Sequence, residues 1–284
     1  MALLVPTSTR SRRRIIISSG TNACDDSSGA FDQGAGTQLT ASATPHALPA
    51  SPTQLIASTE VEADWVRFYI HGMHVSATLT DALLNIYIGG AGSETLFIDS
   101  LSAGWSTTAN PAATGLPNTY WFPVRIPRGT RISASLRSLI ASDTCRVMVE
   151  YGSSGGAHWV GSGVETLGEN TSLSRGTAIT PATTGSGWTT IGTTGRRYRH
   201  ISLGVQGNND TTVQEMWTQW YIGTGSAILQ HVGGIRTRLD VAECHEFRDA
   251  GRWCDIPSGT SLQLNAYSTQ AASGNQFVTL HGVY

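Results

Sequence analysis

The sequence predicts an all-β chain, two tandem antiparallel β-sandwich domains preceded by an extended N-terminal arm. Three observations support this. The first is an internal repeat. Tyr87-Ile88-Gly89 returns as Tyr221-Ile222-Gly223, and Ile126-Pro127-Arg128-Gly129-Thr130 returns as Ile256-Pro257-Ser258-Gly259-Thr260. Gly36-Thr37-Gln38-Leu39-Thr40 matches Gly176-Thr177-Ala178-Ile179-Thr180, and Arg146-Val147-Met148-Val149 matches Phe277-Val278-Thr279-Leu280 more weakly. The offsets are 134, 130, 140 and 131 residues, close enough to constant for two copies of one domain with small loop insertions. The second observation is period-two alternation of apolar and polar residues, as a half-buried antiparallel strand requires. The third is turn chemistry: Gly, Pro, Ser and Asn clusters separate the strand-like runs, and helix signals are nearly absent. Many short strands without crossover helices point to a jelly-roll-like sandwich in each copy.

Residues 1–35 read as an arm, with Arg10, Arg12, Arg13 and Arg14 ahead of a short β-branched run, Ile15-Ile16-Ile17. A segment this polar and aperiodic gains too little from its own contacts to offset its ordering entropy. The arm is therefore expected to be ordered by assembly. The Ile run would add to a sheet edge of another subunit, and the arginines would pair with acidic groups at the docking site.

The first domain spans 36–152. Its expected strands are Trp65–Ile70, Leu83–Ile88, Glu94–Ile98, Tyr120–Ile126, Arg131–Leu136 and Arg146–Tyr151. Pro127-Arg128-Gly129 fits a tight turn, since Pro fixes φ and Gly accepts positive φ. Residues 153–175 form a Gly-, Ser- and Thr-rich linker in which His158-Trp159-Val160 would pack against a domain. The second domain, 176–284, repeats the rhythm with Tyr198–Val205, Gln214–Ile222, Ala227–Val232, Leu262–Tyr267 and Gln276–His281.

Composition narrows the function classes. Only 13% of residues are charged and the net charge is −2, while 32 glycines and many Ser, Thr, Asn and Gln supply the polarity. The usual charged share is roughly 25%. A polar, uncharged surface suits a component held among neighbours, where charges would have to be desolvated. All 18 basic residues are Arg, which tolerates interfaces better than Lys. The charge balance gives no reason to expect nucleic-acid binding. No run approaches a membrane span. Ile15-Ile16-Ile17 is too short for an export signal, and Thr21-Asn22 before Ala23-Cys24 does not suit lipidation.

Candidate chemistry is sparse. His71 and His74 would point to opposite faces of a strand, which argues for surface or turn histidines and against a metal site. Cys244 and Cys254, ten residues apart, do not match a short zinc knuckle and could form a cross-loop disulfide or remain free thiols. Cys24 in the arm could form an intersubunit disulfide or stay free. The acidic Asp64, Asp81, Glu94 and Asp99 are dispersed, and neither a nucleophile elbow nor a phosphate loop is present. Gly89-Gly90-Ala91-Gly92 reads as a hairpin turn. No enzyme, cofactor or metal is predicted. The aromatics offer more. Trp105, Tyr120 and Trp121 border a Pro/Gly-rich loop, and Trp217, Trp220 and Tyr221 lead into the second Gly turn. Exposed, such rings would stack on sugars or a partner; buried, they are large core side chains.

Asn85-Ile86-Tyr87-Ile88-Gly89-Gly90-Ala91-Gly92-Ser93-Glu94 and Phe122-Pro123-Val124-Arg125-Ile126-Pro127-Arg128-Gly129-Thr130-Arg131-Ile132-Ser133-Ala134 resemble the β-sandwich modules of tailed-bacteriophage virion structural proteins, of tail, fibre, collar or decoration type. The resemblance covers the first domain, and reaches the second only through Tyr221-Ile222-Gly223 and Ile256-Pro257-Ser258-Gly259-Thr260. It implies a non-enzymatic particle component at the neck or collar, the tail or the outside of the head, assembled in the host cytoplasm. Its partners would be copies of itself and other virion proteins. The alternative is a receptor- or carbohydrate-binding module of a fibre or spike. It would present Trp105, Tyr120, Trp121 and Trp217 as a platform for a partner or a host-surface glycan.

Overall fold

The computed structural model describes residues 16–17, 36–71, 80–106, 118–154, 159–206, 215–225, 227–238, 251–270 and 274–284. The first half contributes nine strands: β1 (Ile16–Ile17), β2 (Thr37–Thr40), β3 (Thr53–Ile56), β4 (Trp65–His71), β5 (Thr80–Gly89), β6 (Thr95–Ser106), β7 (Asn118–Phe122), β8 (Arg131–Ser138) and β9 (Thr144–Gly152). The second half contributes β10 (Val164–Leu167), β11 (Glu169–Asn170), β12 (Arg175–Ile179), β13 (Thr189–Thr193) and β14 (Tyr198–Gln206). It closes with β15 (Glu215–Thr224), β16 (Ala227–Arg238), β17 (Arg252–Ile256), β18 (Ser261–Ser268) and β19 (Gln276–Val283). A single 3-10 turn, Thr171–Leu173, is the helical element among the described residues.

Each half folds as two antiparallel sheets. The first is built from β2-β9-β4-β7 and β3-β8-β5-β6, the second from β12-β19-β14-β17 and β13-β18-β15-β16. The two orders coincide strand for strand, and this eight-strand, two-sheet arrangement is the jelly roll. The correspondence extends to register. Seven consecutive pairs join β4 to β9, from Trp65↔Gly152 to His71↔Arg146, and seven join β14 to β19, from His200↔Val283 to Gln206↔Phe277. The extra strand β1 pairs with β9 beyond β2, at Tyr151 and Glu150, just as β10 pairs with β19 beyond β12.

The Ile-Pro-x-Gly-Thr segments start equivalent turns, and one threonine closes each. Thr59 Oγ1 donates to Pro127 O at 2.7 Å and accepts from Thr130 N at 3.0 Å, while its backbone pairs with Gly129 N and Thr130 O. Thr194 makes the same bonds to Pro257 O (2.7 Å) and Thr260 N (3.0 Å), and its backbone pairs with Gly259 N and Thr260 O. Gly129 and Gly259 sit at φ +83° and +80°, where a Cβ would be strained. Both threonines are buried. Thr194→Val removes one donor and one acceptor at nearly constant shape. It is expected to cost about 1–3 kcal/mol in urea unfolding; a loss below about 0.5 kcal/mol would mean that the backbone alone holds the turn.

The Tyr-Ile-Gly tripeptides behave differently. Ala82 pairs with Ser138 and Thr218 with Ser268, so the sheets match Leu84 to Trp220 and Ile86 to Ile222. Tyr87 and Tyr221 therefore stand two residues out of register. A two-residue shift keeps the same face, so the core pattern survives it.

The cores follow from strand alternation. Val66, Phe68, Ile70, Leu84, Ile86, Tyr120, Phe122, Val147 and Val149 fill the first; Tyr198, Leu203, Trp220, Ile222, Leu262, Leu264 and Leu280 fill the second. Val164 and Val283 belong to the second half yet join the first core.

Several expectations are corrected. The 153–175 linker carries β10, β11 and the start of β12, and so belongs to the second sheet system. Ile16 and Ile17 pair with β9 of their own chain, so cis pairing replaces the expected addition to another subunit at these residues. Arg10, Arg12, Arg13, Arg14, Ile15 and Cys24 lie outside the described residues, as do His74 and Cys244. Cys254 is a free thiol, so the Cys244–Cys254 disulfide is not formed. The expected strand Tyr120–Ile126 stops at Phe122; beyond it Val124 and Ile126 make single bridges, to Gly161 and Ala63.

Candidate functional site at the junction of the two sandwiches

The outer face of the β12-β19-β14-β17 sheet lies on the open side of the first sandwich, along its edge strands β6 and β7. Alternation decides which residues meet there. On β14, Ile201, Leu203 and Val205 face the second core, leaving His200, Ser202, Gly204 and Gln206 on the outer face. On β19, Val278 and Leu280 face the core, leaving Phe277, Thr279, His281 and Val283 outside. All eight outer residues would be half-exposed on a lone sandwich. Here the side chains among them are buried.

A polar network runs through the contact. Ser102 Oγ and Thr279 Oγ1 are 3.3 Å apart, Thr279 Oγ1 lies 3.1 Å from His281 Nε2, and Thr166 Oγ1 lies 3.0 Å from His281 Nδ1. The Thr166 hydroxyl donates to Asp99 O at 2.6 Å, and Tyr120 OH donates to Ser102 O at 2.8 Å. Because Thr166 already gives its proton to Asp99, it accepts from Nδ1–H. Nε2 then accepts from Thr279, so the bonds assign a neutral imidazole. Burial holds His281 down to about 3. Tyr120 and Phe122 present their rings edge-on to it at 5.8 and 6.1 Å.

At the other end, the Gln206 side-chain amide donates to Ala82 O and its oxygen accepts from Gly176 N at 3.2 Å. Arg175 lies 3.7 Å from Asp81 and 4.3 Å over the Phe277 ring. Burial raises Asp81 to about 6 against the opposing pull of Arg175. His46 Nδ1 and Ser174 Oγ add a contact at 3.0 Å. Covered on all sides and hydrogen-bonded, this seam joins the modules as a sheet pair joins within a domain.

The rim of the junction is aromatic. Trp121 stands edge-on to His200 at 5.3 Å and to Trp253 at 6.2 Å; Trp253 stands edge-on to His200 at 5.3 Å and to Trp159 at 6.3 Å. Three tryptophans from β7, the inter-sandwich segment and β17 thus converge on one histidine. Trp159 is 40% exposed and Trp253 47% exposed, so fixed indole surface remains available to a ligand. Burial lowers His200 to about 4, opposed by the Gly251 backbone. At neutral pH the cluster is uncharged and suited to stacking.

The expected platform residues do not come together. Tyr120 is fully buried in the seam, which corrects its reading as an exposed ring. Trp121 enters the rim cluster, and Trp217 is 44% exposed on β15 away from it. Trp105 is described only by its backbone on β6. Trp253 was missed, although both copies carry a tryptophan shortly before the Ile-Pro-x-Gly-Thr turn, Trp121 and Trp253.

Reactive chemistry finds little support at this site. Burial beside Asp255 pushes the Cys254 thiol up to about 12, so it is no thiolate at neutral pH. Among the described residues no group of three His, Cys, Asp or Glu could hold a metal ion.

No protein-family model and no curated protein sequence matches the chain. Among solved structures it is similar to the N-terminal CBM22-1–CBM22-2 tandem domain of Paenibacillus barcinonensis Xyn10C, at 9% identity and a TM-score of 0.23, covering 97% of this chain and 92% of that one. A likeness of that size transfers no site and no ligand, and the junction is interpreted from its own residues.

Proposed function

We propose that the chain is a non-enzymatic structural component of a tailed-bacteriophage particle, at the neck or collar, the tail or the outside of the head, working through subunit–subunit contacts. The observation that supports this best is the junction. A whole sheet face of one jelly roll closes the open side of the other, with Val164 and Val283 entering its core. Modules that pack through sheet faces and edges make a stiff block, which suits a particle component. The low charge and the resemblance of 85–94 and 122–134 to virion modules agree with it. The experiment is mass spectrometry of purified particles followed by image reconstruction. The chain should appear at symmetric stoichiometry and be traceable as paired jelly rolls. Its absence from intact particles would overturn the reading.

A second reading rests on the rim cluster: Trp121, Trp159 and Trp253 would stack on the apolar face of a sugar at the host surface. Glycan-array binding by the isolated chain should then fall at least tenfold in Trp253→Ala. No glycan affinity in the native chain removes this reading and leaves the first untouched.

A further inference from the structure

The junction uses two surfaces, and the duplication supplies a second copy of each. One is the outer face of a β2-β9-β4-β7-type sheet; the other is the open side formed by the edge strands of the neighbouring sandwich. In the second module the sheet face is covered, and every side chain on β19 is buried. In the first module the ladder-equivalent face shows Trp65, Arg67, Tyr69, Arg146, Met148 and Glu150, all half-buried. The open side shows the converse. The outward row of β5 (Asp81, Leu83, Asn85) is buried against the second module, whereas Trp217 and Gln219 on β15 are exposed.

We propose that these two remaining surfaces meet between copies of this chain, the first module's sheet face of one covering the β15–β17 side of the second module of the next. The contact repeats the internal junction as a head-to-tail, heterologous interface, which closes into a ring or continues as a filament according to its rotation. The chemistry is complementary at one traceable point. Inside the chain, Asp81 of the open side meets Arg175, which lies over Phe277 of the sheet face. At the equivalent ladder positions stand Trp217 on the open side and Arg146 on the face. An aromatic ring and a guanidinium again face each other, now exchanged between the surfaces. The inference deepens the assembly reading and rests on it for its biological setting, although not for its geometry.

The test is sedimentation velocity and light scattering on the purified full chain over a concentration series. The native chain should associate. Arg146→Glu on the face and Trp217→Glu on the open side should each weaken association at least tenfold. Met148→Arg and Gln219→Arg serve as second variants should either first change melt early. Mixing the two single variants is decisive, because each blocks a different end. A head-to-tail contact then yields a heterodimer and nothing larger. A native chain that stays monomeric, association that these variants leave unchanged, or a mixture that gives no dimer overturns the inference. If the chain fails this test yet is present in particles, the assembly reading stands without it. If it passes yet is absent from particles, the interface stands and the assembly reading falls.

Discussion

Gly204→Val is expected to uncouple the two sandwiches and to lower the stability of the whole chain by about 3–5 kcal/mol, from overpacking at about 1–3 kcal/mol and lost buried hydrogen bonds at about 1 kcal/mol each. A Cβ on Gly204 would lie 2.7 Å from Thr279 Oγ1, 2.8 Å from Tyr120 OH and 2.9 Å from Ser102 Oγ. Those three groups carry the seam. They cannot move aside without breaking the Tyr120–Ser102 and Ser102–Thr279 bonds. The ladder counterpart of Gly204 in the first module is Tyr69, so the small residue reflects this contact and not a demand of the strand. Calorimetry should show one coupled transition in the native chain and a split, earlier profile in the variant. Gly92→Asn is the control: a Cβ at Gly92 meets nothing within 4 Å, its φ is +77°, and Asn tolerates that region. A Gly204→Val melt within about 0.5 kcal/mol of native would mean that the modules are held elsewhere.

What the sequence made legible was what strands and turns impose locally. The period-two runs marked both cores, and Ile-Pro-x-Gly-Thr marked one turn twice. What it hid depended on distant partners. Thr59 and Thr194 close those turns from 68 and 63 residues away, so nothing near them advertises the role. The Tyr-Ile-Gly tripeptides suggested a register that the sheets displace by two residues, a shift that alternation cannot detect. Ile201-Ser202-Leu203-Gly204-Val205 reads as a strand with one wet face; the other module buries that face, and no pattern within the strand reports it. The same blindness made Tyr120 look like an exposed ring, and left β10 and β11 hidden in a polar connector. The aromatic rim needed three segments brought together, of which Trp253 drew no attention because its neighbours are polar.

Acidification from pH 7 to 4 is expected to destabilise the junction by about 4 kcal/mol net, and the sign follows from three groups. His281 falls from 6.5 to about 3 in the folded chain, and His200 from 6.5 to about 4, both chiefly through burial. Below pH 6.5 the unfolded chain binds protons that the folded histidines refuse, so both lower stability progressively as pH falls toward 4. Asp81 opposes them. Its folded value is raised from 3.8 to about 6, so protonation below pH 6 relieves a buried carboxylate and returns stability down to pH 3.8. At about 1.4 kcal/mol per pH unit for each group, the two histidines together lose about 7 kcal/mol by pH 4 and Asp81 restores about 3. The histidines therefore win. No carboxylate is available to soften the result at His281: its nitrogens face Thr166 and Thr279, its ring faces Tyr120 and Phe122, and Asp99 reaches it only as a backbone carbonyl through Thr166. The measurement is chemical denaturation at a series of pH values for the native chain and for His281→Gln, which keeps an amide donor and acceptor but cannot titrate. The variant should be less stable at pH 7 and should lose distinctly less than the native chain between pH 6.5 and 4. Parallel curves for the two proteins would show that His281 is not the group through which acid opens the junction.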